Sequence, residues 1–229
     1  MDSLRQPRFP RSDMRTVFVA TGNAHKIGEI RSLLGPEYVI VSQRDTSSVL
    51  NPEETGATFA ENARIKAVTW AAFLGIEVCN LGASWVLADD SGLEVDALGG
   101  APGVHSARYA ALDTGRPGNS PDAENLAKLL RVMESIPEDR RLARFRCVLA
   151  LTPVQPGAGA DELAAGTRFF AGSCEGRIAR VPAGGGGFGY DPVFIPQGFA
   201  SSFAELGDGV KNQLSHRAQA LEHLKREWV

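Results

Sequence analysis

Apolar residues in the first half of the chain fall into short continuous runs that alternate with longer amphipathic stretches. The runs predict three β-strands, over residues 16–20, 38–42 and 85–88. The stretches predict two helices, over residues 26–34 and 58–75. The second helix opens with the capping-box pattern Thr58-x-x-Glu61 and closes at Gly75. Because strands alternate with helices, the pattern favours an α/β architecture.

The second half of the chain has more strand character. A helix is predicted from Ser120 and Pro121, and four of its apolar residues share one face: Leu126, Leu129, Leu130 and Met133. The other predicted elements are a hairpin of residues 145–153 and 167–180 with a mobile loop over residues 154–166, a strand over 191–196 and a helix over 213–228.

The domain organisation follows from what separates these elements. No stretch reads as a linker long enough to divide two domains, so residues 14–229 are expected to form one domain with two lobes around a cleft. Residues 1–13 contain Arg and Pro but no apolar stretch of signal-peptide length, which predicts a disordered extension.

The charge and the cysteine content of the chain exclude some classes of function. A net charge of -3 and a pI near 5.8 argue against a general nucleic-acid or membrane-surface binder, so cations that bind a polyanion must be gathered locally. The three cysteines, Cys79, Cys147 and Cys174, lie far apart and outside any C-x-x-C pattern. They indicate reduced thiols, and we expect a cytoplasmic protein with no nucleic-acid or membrane partner.

The stretch "FVATGNAHKIGEI", residues 18–30, suits an anion. A strand, a polar turn and a helix place backbone N–H groups and the positive end of a helix dipole together, and Lys26 adds a full charge. The alternative is that Thr21 or Asn23 only caps the helix. In the next helix Lys66 falls within an apolar stripe, so its side chain either extends to solvent or meets an anion in a cleft.

The stretch "VLADDSGLEVD" puts two adjacent carboxylates, Asp89 and Asp90, at the end of a predicted buried strand. Active sites of open α/β sheets lie at such ends. With Glu53 and Glu54 upstream, the pair is consistent with a Mg²⁺ site made of separated carboxylates. The alternative is an Asp-Ser-Gly turn, in which an aspartate bonds its own backbone.

Two later stretches can hold a ligand. The run "AGGGGFGYDP" is not a dinucleotide fingerprint, because Pro192 predicts an extended segment instead of a helix after it. Phe188 there offers a stacking face and Asp191 a polar edge, although a hairpin with Phe188 and Tyr190 on the core fits equally well. In "KNQLSHRAQAL", His216 can be a capping or surface residue, whereas Arg217 can donate paired bonds to a phosphate or a base carbonyl.

Five blocks in order carry a family resemblance: "TGNAHKIGEI", "TFAENARIKA", "ADDSGLEVDALGGAPGVHSARYA", "GGFGYDPVF" and "KNQLSHRAQAL". They closely resemble the inosine/xanthosine triphosphate pyrophosphatases, from about Arg15 to the C-terminus. The resemblance implies an α/β fold with a central mixed β-sheet flanked by helices, two lobes around a nucleotide-binding cleft, and a homodimer. It also implies Mg²⁺-dependent hydrolysis of ITP, dITP and XTP to the monophosphate and pyrophosphate.

The resemblance also implies a role for each matching residue. Asp90 would be the catalytic carboxylate, and Glu54 would join it around the metal. The triphosphate would be held by the first block together with Lys66: Thr21, Gly22, Asn23, Ala24, His25 and Lys26. The other substrate contacts would be Ser91, Phe188, Gly189, Tyr190, Asp191, Lys211, His216 and Arg217.

Two rival functions stay open. The chain could be a nucleotide-binding sensor that does not hydrolyse its ligand, or a pyrophosphatase for other modified nucleoside triphosphates. The pair Asp89 and Asp90 argues against a sensor, because added negative charge disfavours a bound triphosphate unless a metal offsets it.

Overall fold

The computed structural model describes residues 15–46, 48, 50–76 and 82–228. Its strands are β1 (Arg15–Val19), β2 (Tyr38–Ser42), β3 (Trp85–Val95), β4 (Leu142–Pro153), β5 (Arg168–Ile178) and β6 (Phe194–Pro196). Its helices are α1 (Ala24–Leu34), α2 (Phe59–Ile76), α3 (Asp122–Val132), α4 (Ala160–Ala165), α5 (Phe203–Leu214) and α6 (His216–Glu227). The predicted extension over residues 1–13 and Cys79 lie outside the described residues.

The strands form one mixed sheet in the order β2-β1-β3-β4-β5-β6. β1 pairs in parallel with β2 and β3, whereas β3, β4, β5 and β6 pair successively antiparallel. The predicted α/β class with a central mixed sheet is therefore confirmed. The arrangement into a single two-lobed domain over residues 14–229 stays a prediction.

Apolar side chains pack on both faces of the sheet. On one face, α1 and α6 cover β1, β3 and β4, with Ile30 and Leu221 fully or almost fully buried. On the other face, α2 packs Trp70 against Phe18 of β1, with ring centroids 4.6 Å apart. A third cluster joins α3 and β6 to the far halves of β3 and β4, around Leu129 and Phe194. The middle of β3 thus runs between helices on both sides.

The predicted end of β3 at residue 88 is wrong. The strand continues to Val95 because β4 pairs with it over its whole length, with Asp89 opposite Leu149 and Asp90 opposite Val148. The parallel pairing with β1 ends earlier, at the Val19–Leu87 pair. The two aspartates therefore lie inside a strand, immediately beyond the carboxyl end of its parallel neighbour. Successive strand residues point to opposite faces, so Asp89 and Asp90 have different surroundings.

Three further predictions need correction. The segment between β4 and β5 is not only a loop, because it contains α4, whose Leu163 is fully buried. The C-terminal helix begins at His216 instead of residue 213, since the Ser215 side chain caps α6, and α5 precedes it as a separate helix. The predicted strand over residues 191–196 is shortened to β6.

Of the helices in the described ranges, none combines the length and the apolar composition that crossing a bilayer requires.

Candidate active site

The turn between β1 and α1 lies at the carboxyl end of β1. The Asn23 side-chain oxygen accepts hydrogen bonds from the N–H groups of His25, at 2.9 Å, and Lys26, at 3.2 Å. The Thr21 hydroxyl accepts from the Asn23 N–H at 3.2 Å. Asn23 is therefore the helix cap, as one alternative predicted, and Ala24 is the first residue of α1. Only the backbone N–H of Lys26 takes part in this cap, and its side-chain ammonium group reaches Asp89 of β3.

Asp89 points to the α1–α6 face of the sheet and is buried. Its carboxylate is ion-paired with Lys26 and accepts from Arg217 Nε at 2.8 Å. The Ser91 hydroxyl, at 2.9 Å, and the Cys147 thiol, at 3.1 Å, also donate to it. Burial by itself would raise the pKa of Asp89, but the Arg217 and Lys26 cations hold this pKa well below its usual range. Asp89 is thus an ionised residue that joins β3, α1 and α6.

Asp90 points to the opposite face, toward α2. Lys66 Nζ donates to Asp90 Oδ1 at 2.8 Å and to Glu54 Oε1 at 3.0 Å. The predicted alternative in which Lys66 meets anions in a cleft is therefore confirmed, and these anions are carboxylates. Burial raises the pKa of Asp90 despite the attraction of Lys66. Burial would lower the pKa of Lys66, but Asp90 and Glu54 raise it.

A second ion-pair chain links α1 with α5 and α6. Glu29 of α1 is paired with Lys211, at 2.9 Å, and with Arg217. Lys211 also contacts Asp191 Oδ2 at 2.6 Å. Burial would raise the pKa of Glu29, but the Arg217 and Lys211 charges lower it. Lys211 and Arg217, which lie on different helices, are held together by this shared carboxylate.

His216 is the first residue of α6 and is buried, so the alternative that places it on the surface is wrong. Its ring stacks on Phe145, with centroids 4.9 Å apart. Among the described residues its Nδ1 atom has no hydrogen-bond partner. Burial, reinforced by the neighbouring Arg217 charge, holds the pKa of His216 well below its usual range. The imidazole is therefore neutral at pH 7, so one of its two ring nitrogens is a hydrogen-bond acceptor.

The glycine-rich segment lies against the same helices. Phe188 stacks on His25, with ring centroids 5.2 Å apart, and Lys211 Nζ lies 4.4 Å from the Phe188 ring centre. Asp191 accepts from the Phe188 N–H at 2.9 Å, which shapes the turn. Tyr190 is buried in the core, as the hairpin alternative predicted, and its hydroxyl donates to a backbone carbonyl at 2.9 Å. Phe188 and Tyr190 both border a cavity.

Two adjoining cavities bring the predicted site residues together. The larger, about 760 Å³, is lined by the β1–α1 turn, Glu54, Lys66 and the two aspartates. The smaller, about 160 Å³, is lined by residues of the glycine-rich segment and of α5 and α6: Phe188, Gly189, Tyr190, Asp191, Lys211, His216 and Arg217. Asn23, Lys26 and Ser91 border both. Of the predicted residues, Ala24, His25 and Glu53 line neither.

The carboxylates of the larger cavity fit a hard divalent cation. Glu54 and Asp90 approach the same Lys66 nitrogen, and Asp90 Oδ2 is buried without a hydrogen-bond partner among the described residues. Over the same residues no group of three or more His, Cys, Asp or Glu gathers into a closed metal cage. Mg²⁺ commonly takes one or two protein carboxylates and completes its shell with water and substrate phosphates. The donor set is thus suited to Mg²⁺ bound together with a phosphate ligand.

Sequence reasoning missed several residues of this site. In the sequence, Glu29 looks like an ordinary polar residue of α1. Its position between the buried residues Ile27 and Ile30 could have indicated that its side chain is partly buried. Asp122, whose carboxylate accepts the Gly189 N–H at 2.7 Å, reads as a normal acidic residue in a first helical turn. Arg108 borders the larger cavity and lies in the block "ADDSGLEVDALGGAPGVHSARYA", but no role was predicted for it.

The profile of the Ham1 family matches residues 17–227. The chain belongs to the Ham1 family. A dITP/XTP pyrophosphatase of Shouchella clausii is 45% identical over 212 residues, covering 93% of this chain and 96% of the relative. The dITP/XTP pyrophosphatase of Shigella flexneri is 44% identical, covering 92% and 96% respectively.

Solved structures of Ham1 proteins have the same fold as this chain. A HAM1 protein from Coxiella burnetii has a TM-score of 0.75 at 39% identity, covering 94% of this chain and 98% of that protein. A nucleoside-triphosphatase, or dITP/XTP pyrophosphatase, from Mycobacterium abscessus has a TM-score of 0.67 at 38% identity, covering 91% and 98%. This Ham1 chain therefore spans nearly the full length of its relatives.

Proposed function

We propose that this Ham1 chain is a nucleoside-triphosphate pyrophosphatase. It hydrolyses noncanonical purine nucleoside triphosphates, namely ITP, dITP and XTP, to the monophosphate and pyrophosphate. One observation carries the proposal: a cavity of lysines and carboxylates adjoins a cavity lined by an aromatic ring, a neutral imidazole and a guanidinium group. The first has the chemistry for a metal-bound triphosphate, and the second has the chemistry for a base. The names of the relatives support the same substrate class.

Glu54 and Asp90 would hold Mg²⁺ in the larger cavity. When bound, the ion would act as a Lewis acid toward phosphate oxygens and would offset the negative charge of the two carboxylates. Lys66, which is now paired with both carboxylates, would then have donors to spare for the phosphates. This explains why a triphosphate site carries so many acidic groups.

Asp90 is our candidate for the proton acceptor. Its Oδ2 atom is buried without a hydrogen-bond partner in the described part of the chain, so it can receive a proton from an attacking water. Burial raises the pKa of Asp90, which makes the carboxylate a stronger base than a solvated aspartate. Lys26 and Lys66, on opposite faces of β3, would stabilise the charge that develops on the departing pyrophosphate.

Base selectivity would arise in the smaller cavity. Hypoxanthine and xanthine carry a keto oxygen at C6, which accepts hydrogen bonds, whereas adenine carries an amino group that donates. Arg217 would be a donor there, and the Nδ1 atom of neutral His216 has no hydrogen-bond partner among the described residues. ATP would leave a buried donor unpaired, which costs about 1–3 kcal/mol. We therefore expect efficient cleavage of ITP and XTP and weak cleavage of ATP.

A panel of triphosphates tests the proposal. XTP, ITP, dITP, ATP and modified pyrimidine triphosphates are incubated with and without Mg²⁺, and pyrophosphate and orthophosphate are measured separately. The proposal expects pyrophosphate from the noncanonical purines, in the presence of Mg²⁺ only. Binding without any product would instead indicate a sensor, and preferential cleavage of the pyrimidine analogues would indicate a different pyrophosphatase.

The homodimer that the family resemblance implies and the cytoplasmic location that the cysteines indicate belong to the same proposal. Sedimentation velocity of the purified chain measures the first directly. A species of monomer mass across the micromolar range would contradict the dimer without touching the proposed chemistry.

A further inference from the structure

Arg108 is a further cation that borders the larger cavity. It ends the 3₁₀ segment Gly103–Arg108, which packs against β3, and its side chain is 25% exposed. It borders the cavity that contains Lys26, Lys66 and Asp90, and does not border the cavity of Phe188 and Arg217. Its charge therefore acts at the phosphate end of the site.

The contacts of Arg108 are too loose for a purely structural guanidinium. Its Nη1 atom lies 3.6 Å from Glu54 Oε2, and Nη2 donates to the Glu54 carbonyl oxygen at 3.4 Å. Arg141, by contrast, is buried and donates to four backbone carbonyls, three of them at 3.0 Å or less. A guanidinium group has five N–H donors. Among the described residues, Arg108 makes a single hydrogen bond, to the Glu54 carbonyl, and it borders the larger cavity.

The formal charges of the ion-paired side chains indicate a role for the Arg108 guanidinium group. The ion pairs of the site form two groups. In the group around Asp89 and Glu29, three cations balance three carboxylates: Lys26, Lys211 and Arg217 against Glu29, Asp89 and Asp191. In the group around Lys66, the carboxylates are Glu54 and Asp90, and the second cation is Arg108. Without Arg108 that group would carry a net negative charge, which repels a triphosphate.

We infer that Arg108 is a substrate-binding residue that contacts the β- and γ-phosphates, the part that leaves as pyrophosphate. The inference rests on the proposed function. Arg108 pairs only weakly with the Glu54 carboxylate, so with a divalent ion held by Glu54 its guanidinium group would be able to pair with phosphate oxygens. Planar guanidinium donors match two phosphate oxygens at once.

Calorimetric titration of the full chain with inorganic pyrophosphate and with inosine monophosphate, each in Mg²⁺, tests the inference. Arg108→Gln keeps a donor for the Glu54 carbonyl but removes the charge. We expect it to weaken pyrophosphate binding about tenfold or more, the loss typical of a charge-assisted hydrogen bond, and to leave monophosphate binding unchanged. Arg108→Lys should restore part of the loss. Arg180→Gln, at an exposed arginine paired with Glu138, is the matched control and should change neither.

Two results overturn the inference: unchanged pyrophosphate affinity in Arg108→Gln, or an equal loss for both ligands, which would mean that the residue only positions the Glu54 segment. Since binding needs no turnover, the proposed function is judged separately by product formation in the wild-type chain. A wild-type chain that binds no pyrophosphate would overturn the inference even if it cleaved ITP.

Discussion

Replacing Asp89 by asparagine should destabilise the protein far more than the same change at Asp90. Asp89 is fully buried and is the shared partner of Lys26 and Arg217, the latter only 1% exposed. The substitution leaves these cations without their carboxylate. Breaking one side of a buried ion pair costs about 3–5 kcal/mol. For a chain of this size that corresponds to a fall in the melting temperature of about 6–20 °C.

Asp90→Asn is the control on the next residue of the same strand. Burial raises the pKa of Asp90, so its charge is disfavoured in the folded state, and Lys66 keeps Glu54 as a partner. We expect this variant to melt close to the wild type and to lose most of its pyrophosphatase turnover. Thermal unfolding by circular dichroism and pyrophosphate release measure the two effects. Equal melting temperatures of the two variants would refute the reasoning, as would an active Asp90→Asn.

A further prediction concerns how the stability that Asp89 provides depends on pH. The pKa of Asp89 is lowered on folding from an ordinary value of 3.8. Its contribution to stability is therefore complete above pH 3.8 and is lost as the pH falls through the lowered value. The wild type should lose stability over that acid range more steeply than Asp89→Asn. Parallel curves of melting temperature against pH would contradict this assignment.

Two further predictions concern packing. Gly172→Ala would place a Cβ atom against the backbone carbonyl oxygen of His216 and push α6 off the sheet. We expect the free energy of unfolding to fall by about 1–3 kcal/mol and the activity to fall with it. Gly185→Ala is the control, because open space surrounds Gly185, and it should keep both stability and activity. Leu163→Ala in α4 should cost about 2–5 kcal/mol in urea unfolding, because Leu163 is fully buried. Leu112→Ala, at a half-exposed leucine, is its control, and equal small losses would mean that α4 adds nothing to the core.

Capping residues in the sequence indicate where α1 and α2 begin. The Asn23 cap of α1 and the Thr58–Glu61 capping box before α2 are both present, because such bonds join residues only a few positions apart. Ser202 and Glu205 form another capping box and could have identified α5. That helix was missed because Gly207 and Gly209 interrupt its pattern, and Gly207 has a φ of 76° that breaks the helix.

Elements that depend on distant partners were misjudged. The strand β3 looks finished at residue 88, because aspartates are rare in strands, yet β4 pairs with it to Val95. The six-residue helix α4 is too short to form by itself, and the burial of Leu163 stabilises it. In both cases packing outweighs local propensity.

The sequence by itself determined the mixed α/β class, the family and most of the charged residues of the site, although not Glu29, Arg108 or Asp122. Only the tertiary structure decided which cation meets which carboxylate: Lys26 with Asp89, Lys66 with Asp90, and Arg217 with Glu29. The hydrogen bonds of these pairs join positions 63, 24 and 188 residues apart. Each pairing depends on the strand face that a side chain occupies and on the helix that covers it. These are properties of the packed sheet, and no local pattern in the chain records them.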